Sequence, residues 1–557
     1  MTTENLEHDA QSKENEQWQT NPGENQYPTG IRLVITLLSL SLGTFLMALD
    51  STIISVATPQ ISTDFHALND VGWYGSAYGM TLCAFTPVLS SFYKHFNPKV
   101  VFLVVVVIFE IGSVVCATAP SSPAFIVGRA IAGLGAAGLL QGAFGMLTYI
   151  CDLKTSPLFM AIVVSLFGLM SGMGPLIGGA FTKDVTWRWC FWINLPIGGF
   201  VFILVALFMR LAYVDSTPRK LPLIEKLSNF DAIGIVLLIS SISCLFLALQ
   251  MGGTSVAWNS SKPIGLFIGF VLLAIAFGIR QWQAGEDATI PLRFVKDRTV
   301  IFGSLYLFWD NMANYIAIYY MPYYFQAGQG ASPIRSAVEY ISLAAPLMVG
   351  LLVGGGITTA TGHYMPVILV AQLLCAIGAG LLTTIRTYTS IAEWATYMAL
   401  TGAGLGLGVN VPHIAVQAVF EKDDEVFIAN GIASFFGQLG RSIGVPIANA
   451  VLIASLQTHV PTYAPSVSPE SVIQAGALNV ATLSSAPDII DGLRSAWSVA
   501  VAHVNILLTT IICVSVPTAL GMRWLNVKKI SEQRAAQKEG ENQTEFSEKK
   551  DKALPAN

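Results

Sequence analysis

Long apolar runs dominate the chain and limit what it can fold into. Fourteen stretches contain few charged side chains, and each has the length of about 20 residues that a helix needs to cross a hydrocarbon layer about 30 Å thick. The composition agrees, because 53% of the residues are hydrophobic and 11% are charged, whereas soluble domains carry roughly 25% charged residues. The sequence therefore predicts an all-α membrane protein with fourteen spans.

The predicted spans form a group of six, a pair and a second group of six. The first six lie near 33–58, 72–91, 100–118, 124–147, 157–180 and 190–210. The other eight lie near 231–250, 263–280, 299–323, 337–359, 366–385, 392–417, 428–456 and 496–522. No cleavable signal peptide is expected, since the polar, acidic residues before the first span lack a basic region.

The segments between these groups define the predicted domain organisation. Each group of six is expected to form a six-helix bundle, with the pair of helices inserted between the bundles. The predicted order is a disordered N-terminal tail (1–30), the first bundle (31–211), a linker (212–230), the inserted helices (231–280), a loop (281–298), the second bundle (299–522) and a disordered C-terminal tail (523–557). A long external loop (457–495) is expected before the last span.

An even number of spans places both termini on one side of the membrane, and the basic residues predict which side. With cytoplasmic termini, six of the 30 Lys and Arg residues lie outside and two lie within spans, which leaves 22 on the cytoplasmic side. We therefore expect both termini and the linker in the cytoplasm. This topology places the sequon at Asn259 outside, as a predicted N-glycosylation site, and a second sequon at Asn542 inside.

Glycine-containing motifs recur at offsets of 269 and 270 residues. RAIAGLGAAG, from Arg129 in span 4, parallels MALTGAGLGLG, from Met398 in span 12, and GMGPLIGGA in span 5 parallels SIGVPIANA in span 13. The alignment pairs Gly133 with Gly402, Gly135 with Gly404 and Gly174 with Gly444. Spans 1 to 6 are therefore predicted to repeat as spans 9 to 14, and parallel six-span repeats are typical of one large group of secondary transporters.

Span 5 contains the stretch SGMGPLIGGAF (171–181), which combines four glycines with a proline in an apolar run. Small residues let helix backbones approach closely in lipid, and neighbouring helices satisfy the backbone groups that a proline frees. Tight packing alone is one explanation, and a pivot where span 5 meets a helix of the other half is the favoured one. The motif residues are Gly172, Gly174, Pro175, Gly178 and Gly179.

Five motifs resemble those of a known transporter family. They are LDSTIISVATPQI (49–61) in span 1, VGWYGSAY (71–78) in span 2, GRAIAGLGAAG (128–138) in span 4, GPLIGG (174–179) in span 5 and WRWCFWINLPIGG (187–199) leading into span 6. In this order they resemble the fourteen-span drug:proton antiporter branch of the major facilitator superfamily, over about residues 33–530. YYMPYYFQAGQGASP (319–333) and GMRWLNVKK (521–529) are similar to its fungal members, which are efflux pumps.

The resemblance implies the major facilitator fold and makes the span 5 motif the antiporter signature. It also places Arg129 where the family has an arginine implicated in proton transfer. Two positions depart from the family. The loop SSFYKHFNPK between spans 2 and 3 keeps only Lys99 of the family's loop motif, which weakens any role in gating, and Met170 stands where the family often has a small residue.

Five charged residues lie in mid-span, where each costs about 2.5 to 3.5 kcal/mol on insertion scales and is a functional hypothesis by default. Burial favours the protonated form of a carboxyl group, and a nearby arginine favours the ionised form, so movement of the arginine would load and release a proton. Asp50 and Arg129 are the preferred coupling residues. Glu110 is either a third coupling residue or a structural partner of a neighbouring helix. Asp310 and Arg441 have three possible roles, which are proton coupling, contact with the substrate, or an ion pair with each other.

Polar and aromatic residues in the second bundle predict a cavity for an amphipathic organic molecule. These candidates are Trp309, Asn314, Tyr315, Asn410, Gln417, Phe436 and Gln438. Lipid-facing packing is the alternative for each aromatic residue. His413 and His503 are interpreted as hydrogen-bonded packing residues.

Several function classes find no support in the sequence. GLGAAG at Gly133 lacks the strand that a dinucleotide site needs, and the patterns of a P-loop, a zinc protease and a serine hydrolase are absent. The seven cysteines stand singly within apolar runs, so neither disulfides nor a metal site are predicted, and no cofactor is expected. A net charge of −4 without a dense basic region argues against nucleic acid.

The resemblance implies a proton-coupled secondary active transporter that exports a drug, toxin or fungal secondary metabolite by alternating access across the plasma membrane. The expected partners are the small-molecule substrate, protons and the lipid bilayer, and the chain is expected to be a monomer. A vacuolar transporter of basic amino acids and a siderophore transporter are alternatives with the same fold. A membrane sensor that has lost transport is the alternative of another class.

Overall fold

The computed structural model describes residues 28, 30–67, 70–209, 222, 230–252, 256 and 258–537. Within this part of the chain every regular element is a helix, and fourteen helices have 15 or more residues. Almost all of the predicted N-terminal tail and of the linker 212–230 lies outside the described residues, as do residues 538–557.

The fourteen long helices follow the predicted order of spans. The first bundle contains α1 (Ile31–Asp64), α2 (Val71–His95), α3 (Pro98–Thr118), α4 (Ser122–Met146), α5 (Ser156–Asp184) and α6 (Asn194–Phe208). The inserted pair is α7 (Ala232–Met251) and α8 (Ser261–Ala284). The second bundle contains α9 (Arg298–Tyr323), α10 (Pro333–Thr361), α11 (Met365–Leu382), α12 (Ile391–Gly408), α13 (Asp423–Tyr463) and α14 (Pro487–Gly521).

Local sequence sets where several of these helices begin. The side chain of Asn97 accepts from Lys99 N ahead of α3, and Ser332 caps α10 in the same way. A proline follows both caps, at a position where its missing N–H costs nothing. At α12, Ser390 and Glu393 form a reciprocal capping box.

Eleven helices of the described residues are long and apolar enough to cross a membrane. The helices at the positions of predicted spans 2, 5 and 9, which are α2, α5 and α9, have 25, 29 and 26 residues but are not among the eleven. The chain is thus an all-helical, multi-pass membrane protein. The count of fourteen spans and the cytoplasmic side of the termini stay predictions.

The aligned glycines of the two halves pack against equivalent helices. A side chain on any of them would meet the neighbouring helix at close range. The contacts pair Gly133 with α2 and Gly402 with α10, Gly135 with α3 and Gly404 with α11, and Gly174 with α1 and Gly444 with α9. Close packing of α4 and α5 in the first bundle is therefore reproduced by α12 and α13 in the second, as the sequence repeat predicts.

The largest buried core that the two bundles share lies on one side of the molecule. One apolar cluster contains Phe144 from the first bundle together with Ile414 and Phe427 from the second, and it includes Leu33 at the start of α1 and Met522 after α14. We call this side of the molecule the terminal side. Two other clusters belong to one bundle each, the first within residues 48–191 and the second within 312–512. A smaller cluster joins Cys83 of α2 to Phe435 of α13 through α7. The bundles are therefore closed against each other on the terminal side.

Three predicted segments differ from the structure. Predicted span 12 is broken after Gly408, and a short helix, Val411–Val419, follows with Pro412 in its first turn. Proline cannot donate the backbone bond that would continue α12. The predicted loop 457–495 is largely helical, because α13 continues to Tyr463, α14 begins at Pro487, and a helix at Pro469–Ala475 lies between them.

The segment after α14 was predicted to be disordered from residue 523, but residues 527–537 form a helix on the terminal side. Val527 is buried in the shared core. Ser531 Oγ donates to Asp152 Oδ1 of the first bundle at 2.5 Å, and Arg534 Nη2 donates to Ala418 O of the second at 2.8 Å. These contacts order a polar segment, because they give its side chains partners on both bundles.

Candidate functional site

A buried ion pair connects α1 to α4 in the first bundle. Arg129 Nη1 lies 2.5 Å from Asp50 Oδ2, and the two side chains are 1% and 0% exposed. Arg129 Nε also donates to Tyr74 O of α2 at 2.8 Å, and Asn194 Nδ2 of α6 lies 3.3 Å from Asp50 Oδ1. Four helices thus hold the pair, and each charge is compensated inside the protein.

Tyr78 links this pair to the rest of the site. The guanidinium carbon of Arg129 lies 4.4 Å from the centroid of the Tyr78 ring, a cation–π geometry. Tyr78 Oη also donates to Met47 O of α1 at 3.3 Å. It belongs to the span 2 motif VGWYGSAY, so the signal that marks it was present in the sequence, although its role was not predicted.

Glu110 lies on α3 near the ion pair but does not join it. Both carboxyl oxygens are buried without a hydrogen-bond partner among the described residues. The carboxyl group packs against Gly198 of α6, where a side chain would clash with it. No Lys, Arg or His nitrogen of the described residues lies within 4.0 Å of its carboxyl oxygens. The arrangement therefore leaves Glu110 without a cation.

Asp310 of α9 belongs to a buried polar chain in the second bundle and is 3% exposed. Tyr306 Oη donates to Asp310 Oδ1 at 3.2 Å, Gln372 Nε2 donates to Tyr306 Oη at 2.8 Å, and Ser515 Oγ donates to Gln372 Oε1 at 2.6 Å. Asp310 Oδ2 has no partner within the described chain. The ion pair between Asp310 and Arg441, one of the alternatives from the sequence, is not formed.

Arg441 instead faces a tyrosine on α9. Its Nη1 donates to Tyr315 Oη at 2.6 Å, and the guanidinium carbon lies 4.8 Å from the centroid of the same ring. The two side chains lie on different sides of their helices, because Arg441 lines the space between the bundles and Asp310 does not. Arg441 points toward the space between the bundles.

A cavity of about 980 Å³, including its opening to solvent, lies between the two bundles. Two helical faces form its polar wall, each with the spacing i, i+3, i+4, i+7 that lines up residues on one side of a helix. They are Asn311, Asn314, Tyr315 and Ile318 on α9, and Ser434, Gly437, Gln438 and Arg441 on α13. Apolar residues of the first bundle face them, including Met47, Leu140, Phe144 and Val164.

Four of the seven predicted cavity residues line this space, and three do not. Asn314, Tyr315, Asn410 and Gln438 lie on the wall. Trp309 packs edge-on against Phe308, Phe436 packs edge-on against Phe435, and Gln417 accepts from Ser156 Oγ at 2.5 Å. Asn311, Ser434 and His413 line the cavity although they were not predicted to do so, and the helical spacing was the signal that would have found the first two.

Several polar groups of the cavity wall have no protein partner. One amide atom each of Asn314, Asn410 and Gln438, and the hydroxyl of Ser434, are buried without a hydrogen bond among the described residues. Buried polar groups are rarely left unsatisfied in folded proteins. These groups are therefore available to a bound molecule or to water.

The span 5 motif packs within its own bundle. A side chain at Gly174 would meet Thr52 of α1, and one at Gly178 would meet Ile53 of the same helix. The predicted pivot against the other half is thus wrong for these two glycines, because their face of α5 points toward α1. Gly179 lies on the same helix and is half-buried. The surroundings of Gly172 and Pro175 lie outside what the structure describes.

The contact of α5 with the second bundle lies nearer the terminal side. There a side chain at Gly355 of α10 would lie 2.7 Å from the Ala161 Cβ and 2.7 Å from the Pro157 carbonyl oxygen. A small residue does bring α5 close to the other half, but it belongs to α10.

The remaining predicted site residues lie away from the cavity or are held by neighbours. Asn259 is exposed just before α8, which is compatible with glycosylation. His503 Nδ1 lies 2.7 Å from Ser455 Oγ, and His413 Nδ1 lies 3.2 Å from Asn430 Oδ1. Both histidines therefore have the hydrogen-bond partners expected of packing residues, although His413 also touches the cavity.

The frame of two bundles around a polar cavity has a counterpart among known proteins. Residues 40–445 match the model of the Major Facilitator Superfamily. The chain belongs to this superfamily. The superfamily predicted from the five motifs is confirmed, whereas the fourteen-span drug:proton antiporter branch stays a prediction. Membership of the superfamily identifies the chain as a membrane transporter of small molecules rather than an enzyme.

Relatives of the superfamily from fungi match almost the whole chain. This chain is 38% identical to the MFS-type efflux pump MFS1 of Trichophyton rubrum over 504 residues. The matched region covers 90% of this chain and 93% of that protein. The chain is also 37% identical to the efflux pump aflT of Aspergillus parasiticus over 502 residues, and the matched region covers 90% of this chain and 97% of that protein.

Solved structures of major facilitator proteins share the fold at low identity. The proton:xylose symporter XylE matches with a TM-score of 0.55 and 15% identity over 89% of this chain and 98% of its own. The human organic anion transporter MFSD10 matches with a TM-score of 0.53 and 14% identity over 87% of this chain and 100% of its own. At such identities the likeness shows the fold alone.

Proposed function

We propose that the chain is a proton-coupled secondary active transporter that exports a small organic compound by alternating access. The compound is a drug, a toxin or a secondary metabolite, and the membrane is the plasma membrane. The observation that carries the proposal is the cavity between the bundles, which combines apolar walls with polar groups that lack a protein partner.

The closure of one side supports alternating access. The largest core that the bundles share lies on the terminal side, and they have separate cores on the other side. A rocking motion that exchanged these two arrangements would expose the cavity to the terminal side. With cytoplasmic termini, the present conformation is the one that faces away from the cytoplasm.

The buried ion pair supports proton coupling through the first bundle. Arg129 lies 2.5 Å from Asp50 and is its charge partner in this conformation, and in the proposed cycle a proton replaces the guanidinium group when the rocking motion separates the two. Tyr78 packs against Arg129 and donates to the carbonyl oxygen of Met47, which lines the cavity, so it connects the ion pair to the cavity wall. Glu110 and Asp310, which lack a cation, are further candidates for proton transfer.

The names of relatives support export as the direction of transport. Two fungal relatives that match about nine-tenths of the chain are named efflux pumps. Export fits the predicted topology, because a pump that faces away from the cytoplasm in one state and toward it in the other can use an inward proton gradient.

Inside-out plasma-membrane vesicles from cells that express the chain test the proposal directly. Uptake of candidate metabolites is measured by mass spectrometry with an acidic vesicle lumen. We expect uptake that collapses when a protonophore dissipates the gradient. Uptake that continues unchanged after the protonophore would contradict proton exchange.

A matched pair of variants assigns the coupling residue. Asp50→Asn is expected to lose gradient-driven uptake, whereas Asp491→Asn, which changes an exposed carboxylate near the start of α14, is expected to retain it. Undiminished uptake by Asp50→Asn would exclude Asp50 from coupling. Fluorescent tagging of the full chain tests the compartment, and a vacuolar membrane signal would favour the vacuolar alternative.

A further inference from the structure

Arg441 is the one charged residue among the described residues that line the cavity. Asp50 and Arg129 lie outside the cavity wall and compensate each other. Asp310 and Glu110 also do not line it. The wall therefore presents a positive charge with no negative charge beside it.

The cation is placed where an uncompensated charge is costly. Arg441 lies near the middle of α13, a helix of 41 residues, and is half-buried. No carboxylate oxygen of the described chain lies within 4.0 Å of its guanidinium group. Charged residues inside a membrane protein are normally paired, or they mark the path of a substrate or ion.

The neighbour of Arg441 orients the cation without neutralising it. Tyr315 Oη accepts one hydrogen bond from Nη1, but a phenol carries no charge. An arginine has five N–H donors in a planar fork, and two of them fit a carboxylate. The geometry leaves Arg441 ready to take an anionic group from the cavity.

The rest of the wall indicates what surrounds such a group. The unpaired amide oxygens of Asn314 and Gln438 lie on the same side of the cavity as Arg441 and can accept hydrogen bonds from N–H or O–H groups of a bound molecule, and the Ser434 hydroxyl can donate or accept. The opposite wall, with Phe144 and Leu140, is apolar. A molecule that fits has an acidic end with nearby polar substituents and a flat or bulky apolar body.

We infer that the cavity selects amphipathic organic acids, with Arg441 as the anchor of the deprotonated acid group. This inference rests on the proposed function, because it names the substrate class of the same cavity. The acid group is a carboxylate, an acidic enol or an acidic phenol. Amines and quaternary ammonium compounds are disfavoured, because the cavity offers them no carboxylate.

A reporter cysteine measures the charge of the cavity without knowledge of the substrate. Asn314→Cys is introduced after Cys244 and Cys513 are changed to alanine, since the other five cysteines are buried. The purified full-length protein in detergent is treated with two methanethiosulfonate reagents of similar size, one carrying a sulfonate and one a trimethylammonium group. The reaction rate of each reagent with the introduced thiol is divided by the rate of the same reagent with a free thiol in solution, which removes the difference in intrinsic reactivity between the two reagents.

The sulfonate reagent is expected to react about tenfold faster than the cationic reagent on this scale, because Arg441 raises the local concentration of anions. Adding Arg441→Gln is expected to bring the ratio close to one, and Arg441→Lys is expected to preserve most of it. A ratio of one or less with Arg441 present would overturn the inference. So would a ratio that Arg441→Gln leaves unchanged, or a thiol that neither reagent reaches.

Binding of matched probes tests the same inference with organic molecules. Naphthalene and anthracene bodies are each linked to an acetate, an acetamide or an ethylamine group, and binding is measured by calorimetry. The acetates are expected to bind about tenfold more tightly than the acetamides, and Arg441→Gln is expected to abolish this difference. Tighter binding of the amines would overturn the inference.

Controls separate this inference from folding and from the proposed function. Gel filtration and thermal unfolding of Arg441→Gln and Arg441→Lys show whether each variant is folded, and the lysine variant keeps the charge if the glutamine variant fails. Neither assay uses a proton gradient. A protein that prefers acids but shows no proton-driven transport would refute the proposed coupling alone, and the reverse result would refute acid selection alone.

Discussion

The two bundles share one packing frame but differ in their buried charges. The frame is duplicated, since each aligned glycine packs against the equivalent helix in its own half. The charges are not. Arg129 of the first bundle aligns with Met398, which is fully buried in the apolar core of the second, and Arg441 of the second aligns with Ser171 of the first.

The surroundings of the two arginines differ as much as their positions. Arg129 is 1% exposed and paired with Asp50, whereas Arg441 is half-buried, faces the cavity and has a tyrosine as its partner. The small residues that bring helices together are common to both halves, and the charged groups are particular to each. This difference suggests a division of roles, with proton coupling in the first bundle and substrate binding in the second.

The largest effect is expected from copying the second bundle into the first. Arg129→Met leaves the Asp50 carboxylate buried without its partner, and breaking a buried pair in this way costs about 3 to 5 kcal/mol. We expect poor yield and a much lower unfolding temperature in detergent. Adding Asp50→Asn removes the second charge and is expected to recover most of the stability. An Arg129→Met protein as stable as wild type would contradict the comparison.

The shared frame predicts equal effects at equivalent glycines. A methyl group at Gly135 would lie 2.6 Å from Phe109 N, and one at Gly404 would lie 2.6 Å from Ala371 O. Gly135→Val and Gly404→Val are each expected to cost about 1 to 3 kcal/mol, as overpacking usually does. Gly199→Ala is the control, because nothing lies within 4 Å of a side chain there. A large loss for one glycine and none for the other would break the equivalence.

Asp310 tests whether the second bundle depends on a buried charge. Asn at this position keeps an oxygen for the Tyr306 hydroxyl, so Asp310→Asn is expected to change the free energy of unfolding by about 1 kcal/mol or less. Asp310→Leu leaves the proton of that hydroxyl without its acceptor and is expected to cost about 1 to 3 kcal/mol. Thermal unfolding of both variants checks the expectation. If Asp310→Asn were as damaging as Arg129→Met, an unrecognised charge partner would have to exist.

The smallest effect on stability is expected at Arg441. Arg441→Gln removes a cation that no carboxylate balances, so the free energy of unfolding is expected to stay within about 1 kcal/mol of wild type or to rise. Unfolding in detergent, measured beside Arg129→Met, gives the contrast between the two arginines. A loss as large as that of Arg129→Met would show that Arg441 holds the fold and would weaken its role in binding.

Much of this architecture is readable in the sequence because the bilayer imposes it. Apolar runs mark the helices, and the repeated glycines mark the close contacts between them. Breaks in helices are harder to place. Pro412 prevents α12 from continuing as one regular helix, but the hydropathy of this long apolar run does not show the break.

The site was predicted less completely, because composition does not give the rotation of a helix. Trp309, Asp310 and Asn311 are consecutive, but successive residues of a helix point about 100° apart, and only Asn311 of the three lines the cavity. Gln417 and Phe436 were expected at the cavity for their chemistry alone. Contacts across hundreds of residues, such as that of Ser156 with Gln417, decide where such side chains point.

The division of roles is tested most directly by two transport assays on two variants. Gradient-driven uptake requires proton coupling, whereas exchange of labelled for unlabelled substrate at equal pH requires only binding and movement of the cavity. The substrate is the organic acid that binds the wild-type protein most tightly. The double variant Asp50→Asn with Arg129→Met is expected to lose gradient-driven uptake and keep exchange, and Arg441→Gln is expected to lose both. Gradient-driven uptake by the double variant, or exchange of the acid at the wild-type rate by Arg441→Gln, would contradict the account.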